Sequence, residues 1–166
     1  MTETLTFDSP DLADTEAFGR RLASHLEPGT VIGLVGPLGA GKTQLVRAVA
    51  EGLGIADGRL VSSPTFVLIQ EYEARLPIYH FDTYRLRNPE DFFDLGVGEY
   101  FEGSGVCLVE WADRVAKYLP PDHLQITIAV TGETTRHFTV EGAGEKSAAV
   151  VRKLRSSDPS LEASSV

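Results

Sequence analysis

The sequence has little cysteine, little positive charge and no long apolar run, and each shortage excludes a class of protein. Cys107 is the single cysteine of 166 residues, so neither an internal disulfide nor a cysteine-based metal site can form, and its apolar neighbours predict a buried, inert thiol. The 15 Lys and Arg against 24 Asp and Glu give a net charge of −9, which disfavours unaided binding of DNA or RNA. Because no stretch reaches membrane-spanning length and no signal peptide is evident, we expect a cytoplasmic protein without membrane contact.

The apolar pattern predicts one domain over residues 1–155, followed by a disordered, serine-rich tail over residues 156–166. Residues 30–35 are nearly all apolar, as in a strand that is buried on both faces of a parallel sheet. The other predicted strands cover residues 4–7, 66–73, 76–82, 106–109, 124–130 and 136–140. The predicted helices cover residues 10–26, 43–53, 89–95, 111–118 and 145–155. This order favours a three-layer α/β fold with a mostly parallel central sheet and antiparallel strands at its margins.

A glycine-rich segment carries the most specific motif of the chain. Residues 36–43, Gly-Pro-Leu-Gly-Ala-Gly-Lys-Thr, match G-x-x-x-x-G-K-[ST] between the predicted apolar strand and an amphipathic helix. Such a loop turns backbone amides toward phosphate oxygens, Lys42 reaches the β- and γ-phosphates, and the hydroxyl of Thr43 binds Mg²⁺. We therefore predict a P-loop NTPase fold. Its expected nucleotide contacts are Gly36, Leu38, Gly39, Ala40, Gly41, Lys42 and Thr43.

Two acids at the ends of predicted strands are candidates for the metal and catalytic site. Asp82 follows Ile-Tyr-His-Phe, and Glu110 follows Val-Cys-Leu-Val. P-loop proteins place an acid at such a strand end to hold magnesium or its waters, although either residue could instead cap a helix. Spacing does not tell which acid contacts the metal and which orients water. Thr65 lies where many P-loop proteins have a switch that senses the γ-phosphate, but the same segment can be a simple turn.

Further motifs follow the P-loop in a distinctive order. They are Ser63-Pro64-Thr65-Phe66, Tyr72, the run from His80 to Leu86, Leu95-Gly96 and Glu110-Trp111. With residues 38–43 they resemble the TsaE (YjeE) family of small bacterial ATPases, over residues 3–141. The resemblance implies an ATPase that uses ATP and Mg²⁺ in tRNA threonylcarbamoyladenosine formation, with weak or partner-dependent turnover. It also implies TsaB and TsaD as partners that hold the tRNA, while this chain does not transfer the threonylcarbamoyl group itself.

The resemblance also implies roles for individual residues. Thr15 belongs to an acid-threonine element of the first helix and becomes a candidate nucleotide contact. Trp111 could line the nucleotide site or belong to a partner surface; the alternative is a buried aromatic of the core. Arg85 could stabilise charge near the γ-phosphate or form a salt bridge, and His80 is expected to be a hydrogen-bonded strand histidine, with proton transfer as the alternative. The implied catalytic residues are Asp82, Glu110 and Thr65, and the implied metal residues are Thr43, Glu110 and Asp82.

Two other functions are compatible with the P-loop. A small-molecule kinase would transfer the γ-phosphoryl group to an acceptor, but such enzymes usually have an arginine-rich lid, and no arginine cluster occurs over residues 43–120. A nucleotide-sensing interaction module, in which ATP orders a surface for a partner, would have the same sequence features. No N-K-x-D segment is present, which favours ATP over GTP. Stimulation of turnover by partners would separate these functions.

Overall fold

A computed structural model gives the fold and describes residues 2–62, 68–158 and 161–163. The strands are β1 (Glu3–Ser9), β2 (Val31–Val35), β3 (Ile69–Tyr72), β4 (Ile78–Asp82), β5 (Val106–Glu110), β6 (Leu124–Val130), β7 (Arg136–Gly142) and β8 (Glu162–Ala163). The α-helices are α1 (Leu12–Ala23), α2 (Lys42–Gly52), α3 (Glu90–Phe93), α4 (Val97–Phe101) and α5 (Glu145–Ser157). Two 3₁₀ helices cover Gly58–Leu60 and Ala112–Tyr118.

The described strands form one sheet in the order β3-β4-β5-β2-β6-β7-β1-β8. β4, β5, β2 and β6 run parallel in its centre. β3, β7, β1 and β8 pair antiparallel on either side. This arrangement confirms the predicted α/β fold with a mostly parallel centre and antiparallel margins. It also brings the ends of β2, β4 and β5 to one edge, because the carboxyl ends of parallel strands meet there.

Alternating side chains of the central strands divide the core between the two faces of the sheet. On one face, Val106 and Leu108 of β5 belong to the apolar cluster of α1, α2 and α5. On the other face, Cys107 and Val109 pack with the cluster of α3, α4 and the second 3₁₀ helix. Burial raises the pKa of the Cys107 thiol to about 12. The inert, buried cysteine that the sequence predicted is therefore confirmed.

Close packing of α1 against α2 fixes the first helix beside the P-loop. A Cβ added at Gly19 would lie 2.5 Å from the Cβ of Ala48, so glycine permits this approach of the two helices. Asp11 caps α1 by accepting a hydrogen bond from the amide of Asp14 at 2.9 Å. The N-terminal turn of α1, with Thr15, consequently lies next to the glycine loop.

The structure departs from the sequence prediction at several element ends. α1 begins at Leu12 and ends at Ala23, within the predicted residues 10–26. The predicted helix over residues 111–118 is a 3₁₀ helix that begins after Trp111. α4 was not predicted, and it begins after Gly96, whose φ of 75° favours glycine. None of the described helices is long and apolar enough to cross a membrane.

The predicted disordered tail over residues 156–166 needs correction at the residues that are described. α5 continues through Ser157, and Asp158 forms an ion pair with Arg21 of α1. β8 then pairs antiparallel with β1, and the preceding Leu161 is buried. The described part of the tail is ordered because Leu161 is buried and the backbone of β8 forms hydrogen bonds with β1. The serine-rich composition did not indicate these contacts. Residues 159–160 and 164–166 lie outside the described residues.

Candidate functional site

The glycine loop lies between the end of β2 at Val35 and the start of α2 at Lys42. Gly39 and Gly41 have φ values of 81° and 105°, a region that other residues rarely adopt. A Cβ added at Gly36 would lie 2.8 Å from the carbonyl oxygen of Ile128, so this position also requires glycine. The glycines of the motif therefore stand at positions where a side chain would be strained or would clash.

Lys42 is buried at the start of α2, with 5% of its surface exposed. Its Nζ donates hydrogen bonds to the carbonyl oxygens of Gly36 and Pro37 at 2.7 and 2.8 Å. The same ammonium lies 3.9 Å from the ring centroid of Trp111. Among the described residues, no carboxylate forms a direct ion pair with Lys42. The P-loop thus holds the Lys42 ammonium in a position where its charge remains available to an anion.

Burial and nearby carboxylates act in opposite directions on this cation. Desolvation is the larger effect and lowers the pKa of Lys42, because the interior disfavours the charged form. The carboxylates of Glu110, Asp82 and Asp113 partly offset this shift. A bound polyanion would act in the same direction as these carboxylates and stabilise the ammonium further.

Glu110, at the end of β5, is joined to the start of α2. Its side chain is 4% exposed, and its Oε1 and Oε2 atoms accept hydrogen bonds from the hydroxyl of Thr43 at 3.0 and 2.9 Å. Oε2 also lies 2.6 Å from Nε2 of His80, which is fully buried on β4. The prediction of a hydrogen-bonded strand histidine is therefore confirmed. The carboxylate is held on two sides and faces the loop.

The turn after β4 is tied to the end of β5 by side-chain hydrogen bonds. Asp82 is 8% exposed and accepts a hydrogen bond from the amide of Tyr84 at 2.9 Å. The hydroxyl of Thr83 donates to the carbonyl oxygens of Glu110 and Trp111 at 3.0 and 2.9 Å. These bonds keep the two acid-bearing strand ends in a fixed relation across from the P-loop.

Trp111 has an unusual backbone and forms a wall of the site. Its φ of 59° is the one positive value for a residue other than glycine in the described chain. Its indole packs against the ring of Tyr84, with ring centroids 4.8 Å apart, and it also contacts the Lys42 ammonium. Of the two alternatives for this residue, the structure favours the wall of the site over the apolar core. Backbone strain of this kind costs about 1–3 kcal/mol and is typical of functional sites.

Two of the cavities beside the P-loop share Gly39 and Gly41. The first, of about 370 Å³, is lined by Leu38, Gly39, Gly41, Lys42, Thr43, Gln44, Asp82, Tyr84, Arg85, Glu110 and Trp111. The second, of about 330 Å³, is lined by Asp11, Leu12, Thr15, Gly39, Ala40, Gly41, Gln44, Glu133, Thr134 and Arg136. The first cavity thus brings together the predicted lysine, threonine and both acids. Thr15 lies at the second cavity, across the loop.

Two arginines border these cavities. Arg85, for which a salt bridge was one alternative, lines the first cavity and pairs with no carboxylate of the described residues. Arg136 of β7 was missed by sequence reasoning. It donates hydrogen bonds to the carbonyl oxygens of Ala40 at 3.1 Å and of Gly39 at 3.3 Å. No motif marks this residue, because β7 is distant from the P-loop in sequence. Thr65 lies outside the described residues, so its switch role stays a prediction.

A buried parallel strand, a glycine loop and a helix that begins with a buried lysine and a threonine define a P-loop nucleotide-binding protein. Residues 9–138 match the family model of the threonylcarbamoyl adenosine biosynthesis protein TsaE. The chain belongs to the TsaE family, which confirms the resemblance drawn from the sequence.

Relatives agree with this assignment in sequence and in fold. The chain is 46% identical to the tRNA threonylcarbamoyladenosine biosynthesis protein TsaE of Bacillus subtilis over 134 residues, which cover 80% of this chain and 82% of the relative. It is 45% identical to the protein of that name from Treponema pallidum over 127 residues, which cover 76% and 93%. The crystal structure of YdiB from Bacillus subtilis superposes with a TM-score of 0.80 at 36% identity, covering 95% of this chain and 98% of that one.

Proposed function

We propose that this protein is a Mg²⁺-dependent ATPase whose nucleotide cycle supports tRNA threonylcarbamoyladenosine formation. The observation that carries the proposal is the convergence of Lys42, Thr43, Glu110 and Asp82 on one cavity at the P-loop. Membership of the TsaE family supplies the pathway. The chain contributes binding and hydrolysis of ATP in this proposal, and it does not attach the threonylcarbamoyl group.

The residues at the cavity fit a triphosphate. Among the described residues, the Lys42 ammonium donates hydrogen bonds to carbonyl oxygens only, and it can exchange these for phosphate oxygens. α2 begins at this point, so its unpaired amides and its dipole face the same position. Leu38, Gly39, Ala40 and Gly41 supply the backbone around the β-phosphate in this proposal. Arg136 holds the outer carbonyls of the loop and so fixes its curvature.

The same cavity fits a magnesium ion that is held together with the phosphates. Thr43 and Glu110 present hydroxyl and carboxylate oxygens within 3.0 Å of each other, and oxygen is the ligand that Mg²⁺ prefers. Within the described residues, no group of three His, Cys, Asp or Glu could hold an ion alone, as expected of a site that shares the ion with its nucleotide. When bound, the ion would neutralise charge on the phosphates. We assign Thr43 and Glu110 to the metal and Asp82 to its water shell.

The two cavities suggest where the rest of the nucleotide lies. Asp82 borders the phosphate cavity opposite Lys42, where its carboxylate can orient or deprotonate an attacking water. Thr15 borders the second cavity on the other side of the glycines, and we assign it to the nucleoside. Its hydroxyl lies 2.8 Å from that of Ser9, so it is held in place at the cavity wall.

Exposed apolar side chains at the mouth of the cleft favour contact with a partner. Leu38 at the tip of the loop is 75% exposed, and Tyr84 is 44% exposed. Both line the phosphate cavity, so a protein that covers them would also enclose the nucleotide. We propose TsaB and TsaD as these partners, with tRNA held by them, since the net charge of −9 disfavours direct binding.

Hydrolysis measured with and without these partners tests the proposed function. We expect low turnover of ATP with Mg²⁺ by the purified chain, and higher turnover when TsaB, TsaD and tRNA are added. Phosphate transfer to a small acceptor would instead indicate a kinase. Binding of ATP without any hydrolysis, even with the partners present, would indicate a nucleotide-sensing interaction module and would contradict the proposal.

Tryptophan fluorescence should report nucleotide binding directly. Trp111 is the single tryptophan of the chain, and Lys42 lies against its ring. When the ammonium turns to the phosphates, the indole loses a neighbouring cation, so we expect a saturable change of emission during titration with ATP. The Lys42→Ala variant should not give this change at the same ATP concentrations. Constant emission of the wild type, while a separate assay detects bound ATP, would contradict this rearrangement.

A further inference from the structure

We propose that His80 is a positioning residue for the nucleotide-bound magnesium, acting through Glu110. Its Nε2 atom fixes one carboxylate oxygen, so that the carboxylate stays directed at Thr43 and the mouth of the P-loop. The inference rests on the proposed function, because it concerns how the ligand set of that site is held in place.

The sheet register places His80 behind Glu110. β4 and β5 are parallel, with His80 opposite Leu108 and Asp82 opposite Glu110. Because side chains alternate along a strand, His80 and Asp82 project from the same face of the sheet. The imidazole is 0% exposed, and it lies between the apolar core and the buried carboxylate. It is therefore shielded from a nucleotide in the cleft, and within the described part of the chain its hydrogen bond links it to the site through Glu110.

The direction of this hydrogen bond follows from the other partner of Glu110. Both carboxylate oxygens accept from the Thr43 hydroxyl, and an ionised carboxylate has no proton to donate. Nε2 of His80 must then carry the proton and donate it to Oε2 across 2.6 Å. Nδ1 is buried and has no hydrogen-bond partner among the described residues. The bond to Glu110 is thus the polar interaction that orients the ring.

A donor behind the carboxylate matters because Glu110 is buried almost completely. Without it, Oε2 would keep only the Thr43 hydroxyl, which it shares with Oε1, in an environment with little water, and the side chain would rotate. This rotation would move an oxygen away from its place beside Thr43. Partners that hold metal ligands in this way typically change metal affinity by about 10- to 100-fold when they are removed.

Two substitutions separate positioning from packing. The amide nitrogen of glutamine lies as far from Cβ as Nε2 of histidine, so His80→Gln can keep the bond to Glu110. The amide nitrogen of asparagine corresponds to Nδ1 instead, so His80→Asn cannot reach the carboxylate. Both variants lose the imidazole ring and keep a polar amide in the core. Asparagine is one methylene smaller than glutamine, and the melting temperature reports the cost of that difference in packing.

The measurement is the dissociation constant of ATP with and without Mg²⁺, together with the melting temperature. We expect His80→Asn to reduce the gain in ATP affinity that Mg²⁺ provides by about tenfold. His80→Gln should keep this gain within about threefold of the wild type, and both variants should bind ATP alike in the absence of Mg²⁺. Equal losses in the two variants, following the melting temperature, would assign His80 to packing and overturn the proposal.

The outcomes also separate this inference from the proposed function. A wild type whose ATP affinity does not respond to Mg²⁺ would contradict the proposed metal site itself. If the variants do not fold, nitrogen NMR of the four histidines in the wild type shows which ring nitrogen of His80 carries the proton. We expect one slowly exchanging imidazole that is protonated at Nε2 and whose signal shifts when ATP and Mg²⁺ are added together. A buried imidazole protonated only at Nδ1 cannot donate to Glu110, and this result would overturn the inference.

Discussion

Replacing Lys42 by alanine is expected to weaken ATP binding by about 100-fold, since a charge-assisted bond to phosphate contributes about 3 kcal/mol. The ammonium is buried at the start of α2 and has no ion pair with a carboxylate among the described residues, so its charge remains available to a bound anion. The fold should tolerate the change, because removing a buried cation also removes its desolvation cost. Isothermal titration with ATP and Mg²⁺ measures the affinity.

Lys153→Ala is the matched control for this loss of charge. Lys153 is on α5 with its side chain 52% exposed, and it pairs with Glu27, away from the cleft. We expect the control to bind ATP like the wild type, and both variants to melt within a few degrees of it. An unchanged affinity in Lys42→Ala would mean that the nucleotide binds elsewhere on the chain.

Changes at Glu110 should separate hydrolysis from binding. In Glu110→Gln the side chain keeps its size but loses the charge that would face the metal, so we expect turnover to fall by about 100-fold or more. ATP affinity measured without Mg²⁺ should change by less than about tenfold, because Lys42 and the loop amides remain, whereas the gain in affinity that Mg²⁺ provides should fall by about tenfold or more. Turnover is best measured with the partners present, while binding is measured on the isolated chain. Glu110→Ala should also lower turnover more than ATP binding, and it additionally removes the hydrogen bonds between Glu110 and Thr43.

Glu99→Gln provides the control for loss of one negative charge, because Glu99 is an exposed residue of α4. It should leave turnover and binding unchanged. Normal turnover in Glu110→Gln would contradict the assignment of the metal site. Loss of ATP binding in that variant when Mg²⁺ is absent, with an unchanged melting temperature, would instead assign Glu110 to direct binding of the nucleotide.

The sequence predicted the parts of the fold and site that depend on local pattern. The P-loop is one contiguous motif whose glycines determine its shape, and the apolar run before it indicates a buried strand. Asp82 and Glu110 could be placed near each other because both end strands of a parallel sheet. The family could be recognised from the order of several such motifs.

Features that depend on contacts between distant segments could not be predicted in this way. The hydrogen bonds of Arg136 to the loop cross about a hundred residues of sequence, and nothing near Arg136 marks them. The left-handed backbone of Trp111 occurs in a residue other than glycine, so no local preference indicates it. β8 was missed because its pairing with β1 comes from the tertiary fold, while its local composition favoured disorder.

A crystal structure with a non-hydrolysable ATP analogue and Mg²⁺ would decide whether this cleft is the ATPase site. We expect the triphosphate within the glycine loop, with Nζ of Lys42 on its phosphates instead of on the carbonyl oxygens of Gly36 and Pro37. The metal should lie about 2.1 Å from the hydroxyl oxygen of Thr43, with Glu110 binding it directly or through one water. A nucleotide bound outside the loop, or a metal remote from both Thr43 and Glu110, would contradict the proposed site.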